Sequence, residues 1–135
     1  MEKISVSDLS IGDWVCVEQL CGVHSEPRLT PPMKVVGLGE SWVNLEIDPE
    51  QGDPFEYEPN EIRGVPITAE VLEKNGFEEN CGRWYNSEAL MEFEQYKDGW
   101  CRTINCGEYS VYFIKYVHQL QRALKLEEIE KEIIL

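Results

Sequence analysis

The chain has 135 residues, of which 42% are hydrophobic, and its 26 Asp and Glu against 12 Lys and Arg give a formal charge of -14. That charge disfavours binding to phosphate backbones and to anionic membrane surfaces, because like charges repel. The apolar fraction is close to the globular norm, so we expect a folded protein with no direct nucleic-acid or membrane partner rather than a disordered acidic segment.

The first half of the chain predicts short β-strands joined by turns, because it is rich in β-branched and aromatic residues interrupted by glycine and proline. The strands are indicated at residues 14–18, 33–38, 42–48 and 55–58, and the proline-containing stretch 21–32 is expected to be a loop. The strand at 42–48 alternates, with Val43 and Leu45 on one face and Glu46 on the other. This run of strands predicts a small bent antiparallel sheet or an SH3-like barrel over residues 1–63.

Residues 64–135 predict a second half that mixes helix and strand, with the joint between the halves at residues 59–66. A two-turn helix is indicated at 67–77, because Thr68 is a good N-cap and Gly76 can adopt the left-handed conformation that ends a helix. Strand patterns follow at 83–85, 100–104 and 109–113, whereas residues 89–96 suit either a strand or a helical turn. The predicted fold class is therefore α+β, a small sheet or barrel followed by a helix–strands–helix half, with one shared core or two.

A second helix is predicted from residue 115 onward. Its apolar positions repeat at helical spacing: Val117, Leu120 and Leu124. His118 falls on the opposite, polar face. Beyond residue 125 the apolar stripe moves to a different set, Leu126, Ile129 and Ile133, which predicts a kink or a separate tail helix. Self-association through this C-terminal tail, which ends in Ile134 and Leu135, is one partner hypothesis.

Three segments of the chain resemble a known family. They read LSIGDWV at 9–15, VPITAEVLEKNGF at 65–77 and IKYVHQLQ at 114–121. In this order they are similar to a family of small uncharacterised proteins from phages and prophages of Bacteroidales-type gut bacteria, which share a barrel-like start, the capped helix and a KYVHQLQ helix. Family members tend to follow that helix with a Thr-Gly break, where this chain has Lys125 and Leu126. The resemblance implies a phage or mobile-element setting, and it implies no activity, cofactor or site residue.

The cysteine and histidine residues form two groups: Cys16 and Cys21 with His24, and Cys101 and Cys106 with His118 further on. Each cysteine pair has four intervening residues, at the edge of the usual spacing of a zinc knuckle, and no C-x-x-C occurs. No signature of a nucleophilic enzyme accompanies the Cys–His pairings. With an odd count of five cysteines, we expect free thiols, no metal, no cofactor and no catalytic residue.

One stretch of the chain concentrates acidic residues with no basic residue among them. Within residues 46–61 lie the six residues that we call the acidic ridge: Glu46, Asp48, Asp53, Glu56, Glu58 and Glu61. A solvated outer face of strands is the simplest interpretation. A weak Ca²⁺ site between Asp48 and Asp53 is a second, although the ligand spacing of an EF-hand is missing. A surface for a basic protein partner is a third.

The leading functional hypothesis is a non-enzymatic phage or mobile-element accessory protein that uses the acidic ridge to bind an unidentified, basic protein partner. The alternative is a small-ligand-binding protein or an enzyme with a pocket between the two halves, lined by Tyr116, His118 and a cysteine. The N-terminus has no basic segment followed by an apolar run, and no apolar stretch approaches the roughly twenty residues of a membrane span. We therefore expect a cytoplasmic protein.

Overall fold

The computed structural model describes residues 4–19, 28–46, 54–88, 91–96, 99–103 and 113–135. The chain divides into two compact units, Met1–Val65 and Pro66–Leu135. Each unit contains an antiparallel sheet, the first strongly curled into a half-barrel and the second accompanied by two helices. The predicted α+β class, a bent sheet or barrel followed by a helix–strands–helix half, is confirmed.

The first unit is a curled sheet of short strands. Its elements are β1 (Trp14–Gln19), β2 (Arg28–Leu29), β3 (Met33–Leu38), β4 (Val43–Glu46), β5 (Phe55–Tyr57) and β6 (Ile62–Gly64), with 3-10 turns at Val6–Asp8 and Pro59–Glu61. Val15 pairs with Gly64 of β6 and with Met33 of β3, so β1 lies between those two strands. β4 then joins β3 to β5.

Two of these strands lie where the sequence predicted none. β2 falls in the expected loop at 21–32, where its two residues extend the ladder of β1. β6 falls in the expected joint at 59–66 and pairs with β1 along its whole length. Both segments are too short to show a periodic pattern, so their strand conformation comes from the partner with which they pair.

The curl of the sheet encloses apolar side chains from alternate strand positions. The buried set consists of Leu9, Val15, Val17, Met33, Val35, Val43, Leu45 and Ile62. A register shift between Val35 and Gly37 places a bulge in β3, and a bulge bends its strand and increases the local twist. Bending of this kind allows one sheet to enclose its own inner face. The described part of this unit accordingly buries its core without an α-helix.

The second unit is an antiparallel meander with two helices. Its elements are α1 (Ala69–Lys74), β7 (Glu78–Asn80), β8 (Arg83–Asn86), β9 (Met91–Tyr96), β10 (Gly99–Thr103), β11 (Phe113–Ile114) and α2 (Val117–Leu126). The strand order β11-β10-β9-β8-β7 follows the sequence. The ambiguous stretch at 89–96 is a strand from Met91. β7, which the sequence did not predict, pairs with β8 across a turn in which Cys81 and Gly82 have positive φ angles.

One face of this second sheet is buried and the other is exposed. The buried face carries Trp84, Asn86, Met91, Phe93, Trp100, Arg102 and Ile114. The rings of Trp84 and Trp100 meet edge to face with centroids 6.1 Å apart. Trp100 Nε1 donates a hydrogen bond to the carbonyl of Ile67, and Arg102 binds Glu127 at the end of α2. These contacts join the buried face to the chain segments that carry the helices.

Helix α1 begins and ends as the sequence predicts. The Thr68 hydroxyl accepts a hydrogen bond from the Val71 amide at 3.2 Å, which satisfies one of the helix's first N–H groups. Gly76 adopts a φ of 86°, and the Phe77 amide donates to the Leu72 carbonyl at 2.9 Å. This is the Schellman arrangement, in which a left-handed residue turns the chain back on the helix.

Helix α2 buries the predicted stripe, Val117, Leu120 and Leu124. It ends at Leu126 without a glycine, because Glu128 takes the left-handed position at a φ of 58°. The Ile129 amide donates to the Leu124 carbonyl at 2.8 Å, which completes a Schellman motif like that of α1. A left-handed non-glycine residue costs on the order of 1 kcal/mol, so this helix end carries strain that α1 avoids.

The prediction of a kinked or separate tail helix is wrong. Residues after Glu128 form no helix, and Ile133 is buried. Asn75 holds this segment, because its Nδ2 donates to the Ile134 carbonyl and its Oδ1 accepts from the Ile134 amide, each at 2.7 Å. The Asn75 side chain thus makes the same pair of hydrogen bonds to Ile134 that a neighbouring β-strand residue would make. Self-association through the tail stays a prediction, now without a helical apolar stripe to support it.

Candidate partner-binding face

The structure describes part of the acidic ridge. Glu46 is half-buried on β4, Glu56 is exposed on β5, and Glu58 is exposed just before the 3-10 turn that Glu61 ends. Asp48 and Asp53 lie outside the described residues, and so does the stretch between them that was considered for Ca²⁺.

The outer face of the half-barrel, opposite its core, is organised in rows across the strands. The first row contains Trp14, Lys34 and Glu46, and the second contains Gly37, Asn44 and Glu56. Residues directly opposite each other on paired strands have Cβ atoms about 5 Å apart, and diagonal neighbours remain within reach of long side chains. The carboxylates of Glu46 and Glu56 are therefore diagonal neighbours on one surface.

The β1 side of this face carries its own cation. Lys34 Nζ lies 5.1 Å from the centroid of the Trp14 ring, within the range of a cation–π contact, and Lys34 stands opposite Glu46 in register. Its charge offsets part of the acidic ridge on that side. The excess negative charge of the described face therefore lies toward β5, at Glu56 and Glu58.

Trp42 covers the glycine backbone at the other end of the face. A Cβ atom built on Gly39 would lie 2.3 Å from Trp42 Cε2, and one built on Gly37 would lie 3.2 Å from Cζ3 of the same ring. The indole thus occupies the space that side chains at positions 37 and 39 would fill. Glycines at positions 37 and 39, followed by a tryptophan at position 42 across the turn, are the sequence signal for such packing of a ring on the backbone.

Glu61 stabilises the 3-10 turn that it ends, so its carboxylate is less available to a partner than those of Glu56 and Glu58. Its Oε2 accepts a hydrogen bond from the Glu58 amide at 3.0 Å, and the residue is half-buried. In a capping box, the side chain three residues after the N-cap accepts a hydrogen bond from the N-cap amide, as Glu61 does here from Glu58. The spacing of Glu58 and Glu61 in the sequence was the available signal. We therefore omit Glu61 from the binding face.

Cys16 is a buried thiol on β1. Its Sγ lies 3.6 Å from the carbonyl oxygens of Arg63 and Gly64 on the paired strand β6. Burial raises the pKa of the Cys16 thiol above its ordinary value of 9.0, and the Arg63 guanidinium opposes this with a smaller effect. A thiol that stays protonated is a poor nucleophile and a poor metal ligand. Cys21 and His24, its neighbours in the sequence, lie outside the described residues.

His118 is not on a polar face, contrary to the prediction. It is buried, and its ring stacks on Tyr116 with centroids 5.8 Å apart and planes inclined by 10°. Cys101 alternates along β10 with buried Trp100 and Arg102, so it points to the exposed face of the sheet. The sheet separates that thiol from the helices on the other side, so Cys101 and His118 do not form a dyad. Cys106 lies outside the described residues.

The residues that the structure describes contain no group of three His, Cys, Asp or Glu side chains that could hold a metal ion. A groove of about 760 Å³ lies at the β7–β8 hairpin, lined by Glu78, Glu79, Asn80, Cys81, Arg83, Tyr85 and Glu92. Arg83 already lies 3.7 Å from Glu92 in this groove. Its lining includes the exposed thiol of Cys81 and no histidine.

No family model, curated protein or solved structure matches this chain. Within the described ranges, neither helix is long and apolar enough to cross a membrane. The outer face carries exposed carboxylates at Glu56 and Glu58, which attract cations and repel anions.

Proposed function

We propose that the protein is a non-enzymatic interaction module of a phage or other mobile element that acts in the cytoplasm by binding a basic protein. The observation that supports this most directly is the outer face of the half-barrel, where Glu56 and Glu58 expose their carboxylates to solvent and carry no ion pair within the described residues. The phage setting is supported by the resemblance of the three sequence segments, and by that resemblance alone.

Net charge supports a basic partner through the kinetics of association. A protein with a formal charge of -14 attracts positively charged surfaces over the Debye length, and such steering raises association rates. Exposed ion pairs contribute little affinity individually, about 0–1 kcal/mol each. An interface of this kind therefore gains from an apolar anchor, and Trp42 is an exposed aromatic side chain on the same face of the half-barrel.

The test is capture of a partner by charge-matched variants of the full chain. One triple variant neutralises the face, Glu46→Gln, Glu56→Gln and Glu58→Gln, and the control neutralises as many acids on the second unit, Glu78→Gln, Glu79→Gln and Glu94→Gln. We expect the wild-type chain and the control to retain the same basic protein from a Bacteroidales lysate, and the first variant to lose it. Equal retention by both variants, or no specific partner at low or moderate salt, would overturn the proposal.

A further inference from the structure

The side chain of Asn75, at the end of α1, holds the last residues of the chain. Its Nδ2 donates a hydrogen bond to the Ile134 carbonyl and its Oδ1 accepts one from the Ile134 amide, each at 2.7 Å. We call this pair of hydrogen bonds the tail contact. Nδ2 also donates to the Val71 carbonyl at 2.8 Å, so both protons of the amide are used. Asn75 is 4% exposed, and the tail contact is therefore shielded from water.

The tail contact requires an amide at position 75. A carboxylate has no proton to donate, so an oxygen in place of Nδ2 would face the carbonyl oxygens of Val71 and Ile134. A buried charge that meets acceptors instead of donors is strongly unfavourable. Conversion of Asn75 to aspartate would therefore separate the tail from α1.

The sequence places this amide in the dipeptide that deamidates most readily. Asn75 is the one asparagine of the chain that is followed by glycine. In deamidation the backbone nitrogen of the next residue attacks the side-chain carbonyl carbon, and glycine has no side chain to hinder the attack. The Gly76 nitrogen bonds to Cγ of Asn75, the Cγ–Nδ2 bond breaks, and Nδ2 leaves as ammonia with the proton of the Gly76 amide. Water then opens the cyclic imide and leaves aspartate or isoaspartate.

The folded structure opposes this reaction in two ways. The Gly76 amide donates to the Glu73 carbonyl at 3.1 Å, which commits its N–H to the end of the helix. The Asn75 amide group is fixed by its hydrogen bonds to Val71 and Ile134. The reacting atoms must meet in the correct orientation, so both sets of contacts have to break first. Attack therefore requires a local opening that undocks the tail.

The buried side chain of Ile133 holds the tail next to this contact. Ile133 is 1% exposed, whereas Ile134, whose backbone makes the tail contact, is 57% exposed. Lys131 Nζ lies 3.4 Å from Glu88 Oε2, but the Glu88 side chain is 82% exposed and such pairs contribute little. Glu128, where the tail begins, has a φ of 58° that disfavours the docked path. The burial of Ile133 therefore controls how often the tail opens.

We propose that Asn75–Gly76 is a deamidation site that the docked tail protects, and that deamidation there releases the tail irreversibly. This inference goes beyond the proposed function and does not depend on it. While the tail is docked the amide is fixed, and each opening exposes it to attack. Once the carboxylate has formed, the tail no longer docks, so the reaction is a one-way change in the second unit that exposes the apolar end of the chain, residues 133–135.

The first experiment compares the deamidation rate of the native full chain with that of the same chain unfolded in urea, at one mildly alkaline pH. Peptide mapping by mass spectrometry distinguishes the amide from the acid at position 75. We expect the native rate to be on the order of 10²-fold lower, because attack requires an open state populated about 1% of the time. Equal rates would show that the structure does not protect the site and would overturn the inference.

Two neighbouring isoleucines provide a matched pair of variants. Ile133→Ala removes a buried side chain and should raise the native rate about tenfold or more. Ile134→Ala removes an exposed side chain and keeps the backbone that contacts Asn75, so the rate should stay within about twofold of the wild type. An equal effect of both variants, or none from Ile133→Ala, would contradict protection by the tail.

A third variant tests the same protection in a chain that is expected to be more stable rather than less. Glu128→Gly relieves the left-handed position at the start of the tail and should slow native deamidation about twofold. Because this variant keeps every tail contact, a loss of folding cannot account for its effect. Faster deamidation than in the wild type would count against the inference.

The second experiment tests the release of the tail after the reaction. Asn75→Asp gives one of the two products directly, and Asn80→Asp adds the same charge at an exposed residue of the same unit. Hydrogen exchange of the Ile134 amide reports the tail contact. We expect this amide to exchange about tenfold or more faster in Asn75→Asp than in the wild type, and at an unchanged rate in Asn80→Asp.

The amides of α2, measured in the same samples, show whether the change is confined to the tail. They should exchange as slowly in Asn75→Asp as in the wild type. Unchanged exchange of Ile134 in Asn75→Asp would overturn the irreversible release. Rapid exchange throughout α2 would also overturn it, because the second unit would then have unfolded as a whole.

Discussion

The first unit encloses its core by curling a single sheet, whereas the second leaves its sheet open and covers one face with chain segments that include α1 and α2. In the first unit a bulge after Val35 bends β3. In the second, every second residue of the strands points to a buried face, and a helix stripe completes the core. The comparison shows two solutions to the same problem, which is to bury one apolar face of a sheet.

Each unit also contains a buried arginine that binds a glutamate, and the two differ in how the guanidinium is satisfied. Arg102 donates through Nε and NH2 to the two carboxylate oxygens of Glu127, at 3.0 and 2.6 Å. Arg63 donates to Glu18 only through NH2, at 2.6 Å, and its NH1 donates to the carbonyls of Asn60 and Ile62. The Glu127 carboxylate thus binds its arginine through two hydrogen bonds, whereas Glu18 accepts one and Arg63 also donates to two backbone carbonyls.

The largest expected difference between the two units is in the rate at which their cysteine thiols react. Cys16 in the first core is buried, and Cys81 at the β7–β8 turn is exposed. Because a buried thiol reacts only after the structure opens, we expect Cys81 to be alkylated on the order of 10³-fold faster. Peptide mapping by mass spectrometry after native alkylation measures both sites. Comparable rates would contradict the enclosed core of the first unit.

The buried thiol of Cys16 should make the free energy of unfolding depend on pH. Burial places the folded-state pKa of Cys16 above the ordinary 9.0, so its contribution to stability is fully present below pH 9 and is lost as pH rises above that value. Denaturant unfolding of the wild type and of Cys16→Ala should show a constant difference up to pH 9. Above it, the wild type should lose stability relative to the variant.

Matched leucine truncations test whether both cores are close-packed. Leu45 in the curl and Leu120 on α2 are each 0% exposed. We expect Leu45→Ala and Leu120→Ala each to lower the free energy of unfolding by about 2–5 kcal/mol. Urea titration measures this. A loss well below that range for Leu45→Ala alone would show that the half-barrel core is loosely packed.

Substitution of the two glutamates compares how much each arginine–glutamate pair contributes to the free energy of unfolding. Glu127→Gln leaves Arg102 buried without its bidentate carboxylate, at an expected cost of about 1–3 kcal/mol, since Glu127 is partly solvated. Glu18→Gln should cost less, because Glu18 accepts one hydrogen bond from Arg63 whereas Glu127 accepts two from Arg102, and because Arg63 also keeps two backbone carbonyls. Thermal unfolding of the two variants under one set of conditions gives the order. The reverse order would contradict the role assigned to the backbone acceptors.

The smallest effects lie at the ends of the helices in the second unit. Gly76→Ala forces a side chain into a φ of 86° and should destabilise by about 1 kcal/mol. Glu128→Gly relieves a φ of 58° and should stabilise by about 0.5 kcal/mol, after the greater flexibility of glycine in the unfolded chain is counted. Chemical denaturation resolves the opposite signs. Stabilisation by Gly76→Ala would contradict the Schellman motif of α1.

Local signals in the sequence predicted the parts of the fold that depend on neighbouring residues. Thr68 and Gly76 specified α1 because a cap and a left-handed residue act within one turn of the helix. The sequence missed β7 because Glu78, Glu79 and Asn80 have low strand propensity, and only pairing with β8 makes them a strand. The prediction for His118 was wrong because no local sequence pattern indicates that this polar residue is buried and stacks on Tyr116.

The binding face illustrates the same limit. The acidic ridge was visible as composition, but sequence spacing did not reveal that Glu61 caps a turn while Glu56 lies opposite Asn44. The contact of the Trp42 ring with Gly37 and Gly39 was not predicted either. That contact depends on the hairpin register, which brings positions 37 and 42 together.

The sequence by itself determined the charge of the molecule, the α+β class, the capped helix and the stripe of α2, because each depends on residue counts or on residues within a few positions of one another. Only the tertiary structure decided that residues 62–64 pair with β1, that a sheet separates Cys101 from the helices, and that the Trp42 ring covers Gly37 and Gly39. These arrangements depend on pairing between separate segments of the chain. The partner strand and the shared core stabilise such pairing, and neither segment alone carries a sequence pattern that predicts it.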